Sequence, residues 1–148
     1  MAGNATPQFT KNGKVSSVLI TAANTSSQGT GTIATDTFLV VTADATNGSW
    51  IETVRLIATA TAPTTTTATV ARIFLSTVAS GAITSATAFL LAEVTLPATA
   101  ADNASTSVPP IDVPIQFRLP PGMTILATNH AAPAANTAWR ALAIGGDY

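Results

Sequence analysis

The sequence predicts an all-β protein: a single-domain β-sandwich of jelly-roll type with about eight antiparallel strands. Three observations predict it. Thr, Val and Ile dominate the apolar segments, and β-branched side chains favour extended backbone over helix. Those segments are short, and Gly, Pro, Asn and Asp interrupt them at frequent intervals. The 148 residues suit one domain, with no internal repeat of the kind that marks a propeller or solenoid.

The strands follow in order. "KVSSVLITAA" (residues 14–23) is the first candidate and "GTIATDTFLVVTA" (31–43) the second. "NGSWIETVRLIATA" (47–60) opens on an Asn-Gly turn and continues as a third. Simple alternation puts its Trp50, Val54 and Leu56 on one face and Ile51 and Ile57 on the other. "ATVARIFLS" (68–76) is the fourth, with Val70 and Phe74 opposite Ile73 and Leu75. Between these two lies "TAPTTTTAT" (61–69), which could be a tether between two domains or a loop. The flanking strands match in length and texture, and a cut here would leave two pieces poor in large apolar side chains. The run is therefore expected to be a long hairpin loop joining two antiparallel strands. "ATAFLLAEVTL" (86–96) is a strand closed by Pro97, and "ATAADNASTSVPP" is a loop. "IDVPIQFRL" (111–119) alternates well, with Ile111, Val113, Ile115, Phe117 and Leu119 on one face. "PPG" turns the chain into "MTILATNHA" (123–131), and "NTAWRALAIGG" (136–146) ends the body.

Charge is scarce. Only 9% of residues are Asp, Glu, Lys or Arg, against about 25% in an ordinary domain. A surface of Thr, Ser, Asn and Ala is neutral and hydrogen-bonding, which suits contact with another protein. It lacks the clustered Lys and Arg that hold phosphate, so no nucleic-acid partner is predicted. The net charge of -1 hides an asymmetry: Lys11 and Lys14 precede the first acid, Asp36. Residues 1–30 therefore read as an N-terminal arm or leader with a possible first strand, and residues 31–148 as the sandwich. Phe9, Lys11 and Lys14 are the arm's candidate partner-binding residues. The N-terminal stretch has no apolar run, which predicts no secretory signal and synthesis in a cytoplasm. No stretch approaches 18 unbroken apolar residues, so no membrane span is predicted.

Catalytic groups do not converge. The chain has no cysteine, which excludes disulfides, thiolate catalysis and Cys-based zinc sites. His130 is the one histidine; Asp112 or Asp147 could complete a triad with a serine, but no GxSxG elbow is present, and His130 reads as a loop residue. Asp44 and Asp102 are isolated loop acids, too few for a metal site. Glu52 and Glu93 could form a glycosidase pair. Arg55, Arg72, Arg118 and Arg140 also lie in strands, so neutralisation between facing strands is the simpler reading. Trp50, Trp139, Phe38, Phe74, Phe89 and Phe117 could stack on sugars, but they are dispersed over apolar strand faces, as core residues are. The expectation is no enzyme, no cofactor and no metal.

Three stretches carry a resemblance: "TNGSWIETVRLIATATAPTTTTATVARIFLS", "LPPGMTILATNHAA" and the terminal "ALAIGGDY". Together they resemble a group of small structural proteins of tailed bacteriophages. The resemblance covers residues 43–148 and is one of texture, without a catalytic motif. It implies a virion component with a β-sandwich fold, most simply a capsid decoration, or cement, protein on the outer capsid surface. The implied partners are the major capsid protein and further copies of the chain, as a trimer. Two other readings stand beside it: a neck or tail piece such as an adaptor or fibre, and a carbohydrate-binding module, which needs an exposed Trp50 or Trp139.

Overall fold

The computed structural model of the chain describes residues 10–101 and 108–148. Among them are twelve strands and no helix: β1 (Asn12–Ile20), β2 (Gly31–Thr32), β3 (Phe38–Thr42), β4 (Ser49–Ala60), β5 (Thr64–Thr65), β6 (Thr69–Ser76), β7 (Ala82–Ile83), β8 (Ala88–Leu96), β9 (Ala100–Ala101), β10 (Ile111–Leu119), β11 (Thr124–Asn129) and β12 (Thr137–Asp147). Eight are long and four are two-residue pairings. The long strands build two four-stranded antiparallel sheets, sheet A in the order β1-β12-β4-β10 and sheet B in the order β3-β11-β6-β8. Numbered one to eight along the chain, the long strands lie in the orders 1-8-3-6 and 2-7-4-5. Only β6 and β8 follow one another within a sheet; every other connection between long strands changes sheets.

The core lies between the two sheets. Ile20, Ile51, Val54, Leu56 and Trp139 from sheet A pack with Val40, Val41, Ile73, Leu96 and Ile125 from sheet B. A second, smaller cluster of Phe74, Ile83, Ala88 and Leu126 covers the far side of sheet B, where Ile33, Leu39 and Val78 close over it. Both faces of β6 and β11 are therefore buried, and β11 has no exposed residue at all.

Three expectations are corrected. The threonine run is not a hairpin loop, because β4 belongs to sheet A and β6 to sheet B. It crosses between the sheets, and Thr64 and Thr65 pair with Ala101 and Ala100 on the way. Thr66 is buried there and fastens the crossing; its Oγ1 accepts from the Thr99 amide at 2.9 Å and lies 3.3 Å from the Pro97 and Thr99 carbonyls. Residues 31–43 are not one strand. Asp36 accepts from the Thr32 amide at 2.7 Å, Ala34 has a φ of 70°, and the turn they make separates β2 from β3. Finally, Ile51, not Trp50, shares the core face with Val54 and Leu56. Pairing with β12 jumps from Thr53 to Ile51, so Glu52 is an extra residue in β4. Such a bulge shifts the alternation by one, which simple period-2 counting cannot anticipate. In β10 the expected alternation does hold, with Val113 and Leu119 buried and Ile111, Ile115 and Phe117 packed on the core.

Candidate interaction surface

The predicted arm residues fall in two places. Phe9 lies outside the described residues. Lys11 is exposed, and its amide donates to the Asp147 carbonyl at 2.7 Å. Lys14 is in β1, with Nζ 2.8 Å from Asp147 Oδ1. β1 pairs with β12 from Asn12–Asp147 to Ile20–Trp139, so residues 12–20 form an edge of the sandwich.

The candidate chemical groups are kept apart. His130 Nδ1 lies 3.4 Å from Arg72 Nη1, a group that can only donate. Asp112 is bound by Arg55 through two hydrogen bonds of 2.7 and 2.9 Å, and Asp147 by Lys14 and Ser49; neither aspartate has His130 as a partner. Arg72, buried on sheet B, donates to Glu93 at 2.6 Å from the facing position of β8, the neutralisation expected of strand charges. Glu52 is on the other sheet. Asp44 is a turn cap, accepting from the amides of Thr46 and Asn47, and Asp102 lies outside the described residues. Among the described residues no group of acids and histidines gathers into a metal site. Trp139, Phe38 and Phe74 are buried, Trp50 is half-buried and Phe89 is exposed.

The stretches that carry the resemblance meet at one end of the sandwich. Gly48, with φ at 78°, sits so close to the Leu119 carbonyl that a Cβ there would overlap it. Pro120, Pro121 and Gly122 form a turn closed by Met123 N–H to Pro120 O at 3.2 Å, with Gly122 at φ 72°, as a type II turn requires. The Asp44 carbonyl accepts from both Gly48 and Gly122. Arg118 donates to the Asn47 carbonyl at 2.7 Å and lies 4.9 Å over the Tyr148 ring. These residues form a clasp that ties two loops and the end of the C-terminal strand together.

What remains is surface. The two sheets differ in how their outer faces are finished. That of sheet B is covered by the β2–β7 region. On sheet A, the outward side chains form three rows across β1, β12, β4 and β10: Val15, Ile144, Thr53 and Pro114; Ser17, Leu142, Arg55 and Asp112; Leu19, Arg140 and Ile57. None of them is buried, and Val15 is 69% exposed. Beside Leu19 a groove of about 530 Å³ opens between β1 and β3, with Val18, Ile33, Phe38 and Leu39 in its walls and Arg140 at its rim. Arg140 Nη1 lies 3.1 Å from the Ser17 hydroxyl. A second apolar segment lies on the edge strand of sheet B, where, among the described residues, nothing pairs beyond β8 and Phe89 (47%), Leu90 and Leu91 are exposed one after another. Edge strands are usually blunted by Pro, charge or bulges, and β10 carries both Pro114 and a bulge beside Gln116. No family model, curated protein or solved structure matches the chain.

The sequence flagged neither patch. The "FLL" of residues 89–91 reads as core strand, and an extra residue there, between the Phe74–Leu90 and Ile73–Ala92 pairs, again breaks the alternation.

Proposed function

We propose that this chain is a structural protein of a tailed-bacteriophage virion, a capsid decoration protein of jelly-roll type. It binds the major capsid protein on the outer surface of the shell and stabilises it, alongside further copies of itself. The observation that carries this reading is the apolar free edge of β8 on a charge-poor sandwich, a surface that needs a protein partner to leave water. The strand orders 1-8-3-6 and 2-7-4-5 support the jelly-roll assignment, a fold built from two packed four-stranded sheets. The resemblance of residues 43–148 supports the virion assignment, and it implies a trimer.

The test is to localise the protein in the parent virion by electron microscopy and to repeat it with Leu91→Lys. Many copies spread over the shell, lost in the variant while its melting temperature holds, support the reading. A few copies at the neck or tail make it an adaptor or fibre piece instead. Absence from the virion overturns it.

A further inference from the structure

We infer that the outer face of sheet A is a two-fold contact between copies of this chain, closed by Glu52 of each copy against Arg140 of the other. It deepens the self-association in the reading above but needs nothing of the virion.

The face is apolar where a solvated sheet face would be polar. An antiparallel sheet with one wet side alternates apolar-in and polar-out. Here Val15, Leu19, Leu142, Ile144 and Ile57 all point outward and are left half-buried or exposed. Its charges are few and specific. Arg55 is neutralised by Asp112 in the central row. Among the described residues no ion pair involves Arg140 or Glu52. Glu52 is exposed and is the bulged residue of β4, beside Thr53 in the first row; Ile51 and Val54 on either side of this pair are both inward and buried. Arg140 is in the third row, opposite Ile57. From residue 53 to residue 57 the separation along the strands is about 13 Å.

An unpaired anion and an unpaired cation at opposite ends of one apolar face are what a self-complementary contact requires. In an isologous interface, if one residue meets a second, the second meets the first. Place the two-fold axis in the plane between two stacked copies of sheet A, perpendicular to the line from Glu52 to Arg140. Each glutamate then meets the other copy's arginine. The row of Val15 and Ile144 covers the row of Leu19 and Ile57, and the central rows meet each other, their arginines already paired with aspartates. Face-to-face packing of sheets is the ordinary way to bury such surfaces. A different acidic partner would satisfy Arg140 but leave Glu52 unpaired at the margin of the same apolar face. The contact pairs copies whether or not they also gather around a threefold position.

The experiment uses charge reversal on the full chain, read by sedimentation equilibrium. The wild type is expected at an even multiple of the 14.9 kDa chain mass. Arg140→Glu and Glu52→Arg each place like charges together twice, and each should weaken the pairing by at least about tenfold. Mixing the two single variants should restore a pair containing one of each, and the double variant should pair with itself. Leu142→Lys, in the centre, should abolish pairing in every background. Matching circular dichroism and melting temperatures exclude unfolding; should a reversal unfold the chain, Glu52→Gln and Arg140→Gln replace it, with a smaller expected weakening. A wild type that stays monomeric or forms only odd assemblies overturns the inference, as do single variants that pair like wild type or a mixture that fails to recover. None of these outcomes bears on presence in the virion, so failure here is separable from failure of the proposed function.

Discussion

Asp147 is held by two donors from distant parts of the chain, the Lys14 ammonium and the Ser49 hydroxyl. Burial opposes its charge, but the hydrogen bonds from Lys14 and Ser49 outweigh that, and the carboxyl titrates below its ordinary range. A depressed folded-state value means the stabilisation is present above the unfolded value, about 3.9, and is lost as pH falls through the folded one. Asp147→Asn should therefore cost about 1 kcal/mol at neutral pH, with the gap to wild type closing in acid; urea unfolding from pH 7 to pH 2 measures it. Asp112 is also lowered, by its hydrogen bonds to Arg55, but both partners lie in solvent, where salt screens them. Two glycines give a sharper contrast. A Cβ on Gly145 would overlap the Trp50 carbonyl, a backbone atom in the middle of sheet A, whereas one on Gly81 meets nothing and suffers only its φ of 75°. Gly145→Ala should cost about 2–4 kcal/mol and Gly81→Ala about 1–2 kcal/mol by chemical denaturation. Equal costs would mean that β12 can shift away from β4.

The threonine crossing shows what an element's sequence can and cannot disclose. Thr66→Ala removes the acceptor of the Thr99 amide and should destabilise by about 1–2 kcal/mol, although neighbouring Thr65→Ala should do almost nothing. Nothing in "TAPTTTTAT" distinguishes these threonines, because the partner strand lies some thirty residues away. Strands themselves were legible where alternation is uninterrupted, as in β10, and so were the turns at Gly48 and Gly122, where a local backbone requirement selects Gly. The face assignment failed at Glu52 in β4, where a bulge shifts the alternation, whereas the bulge beside Gln116 in β10 left its core face intact. Which strands pair was not legible either: nearly every connection changes sheets, and local texture reads as hairpin wherever two strands follow each other. The candidate surface was hidden for the same reason. An outward Leu142 and an inward Ala141 differ only in which sheet face is covered, and that is decided by the whole fold.

At the scale of the molecule, the first and last long strands are neighbours, and this changes what a truncation should do. If residues 1–14 were a free arm, removing them would leave the melting temperature of the sandwich unchanged. In the structure their last three residues, Asn12, Gly13 and Lys14, pair with Asp147, Gly146 and Gly145. The cut also removes the Lys14–Asp147 ion pair and the hydrogen bond that the Lys11 amide donates to the Asp147 carbonyl. Asp147 would keep only Ser49, and the C-terminal clasp that holds Tyr148 under Arg118 would lose its flanking strand. Removal of residues 1–14 should therefore lower stability by about 1–3 kcal/mol, a drop of about 3–5 °C in Tm per kcal/mol at this chain length. Removing residues 1–20 strips all of β1, bares the edge of β12 beside Trp139, and should abolish cooperative unfolding. Thermal scans of both truncations beside the full chain and a cut after residue 9 make the comparison. If the chain shortened to Val15 melts with the full one, the start of β1 adds nothing to the sandwich. If instead its melting point falls while the chain cut after residue 9 keeps that of the full chain, Lys11 and Lys14 act within the fold, and any arm that reaches a partner is confined to the residues before them.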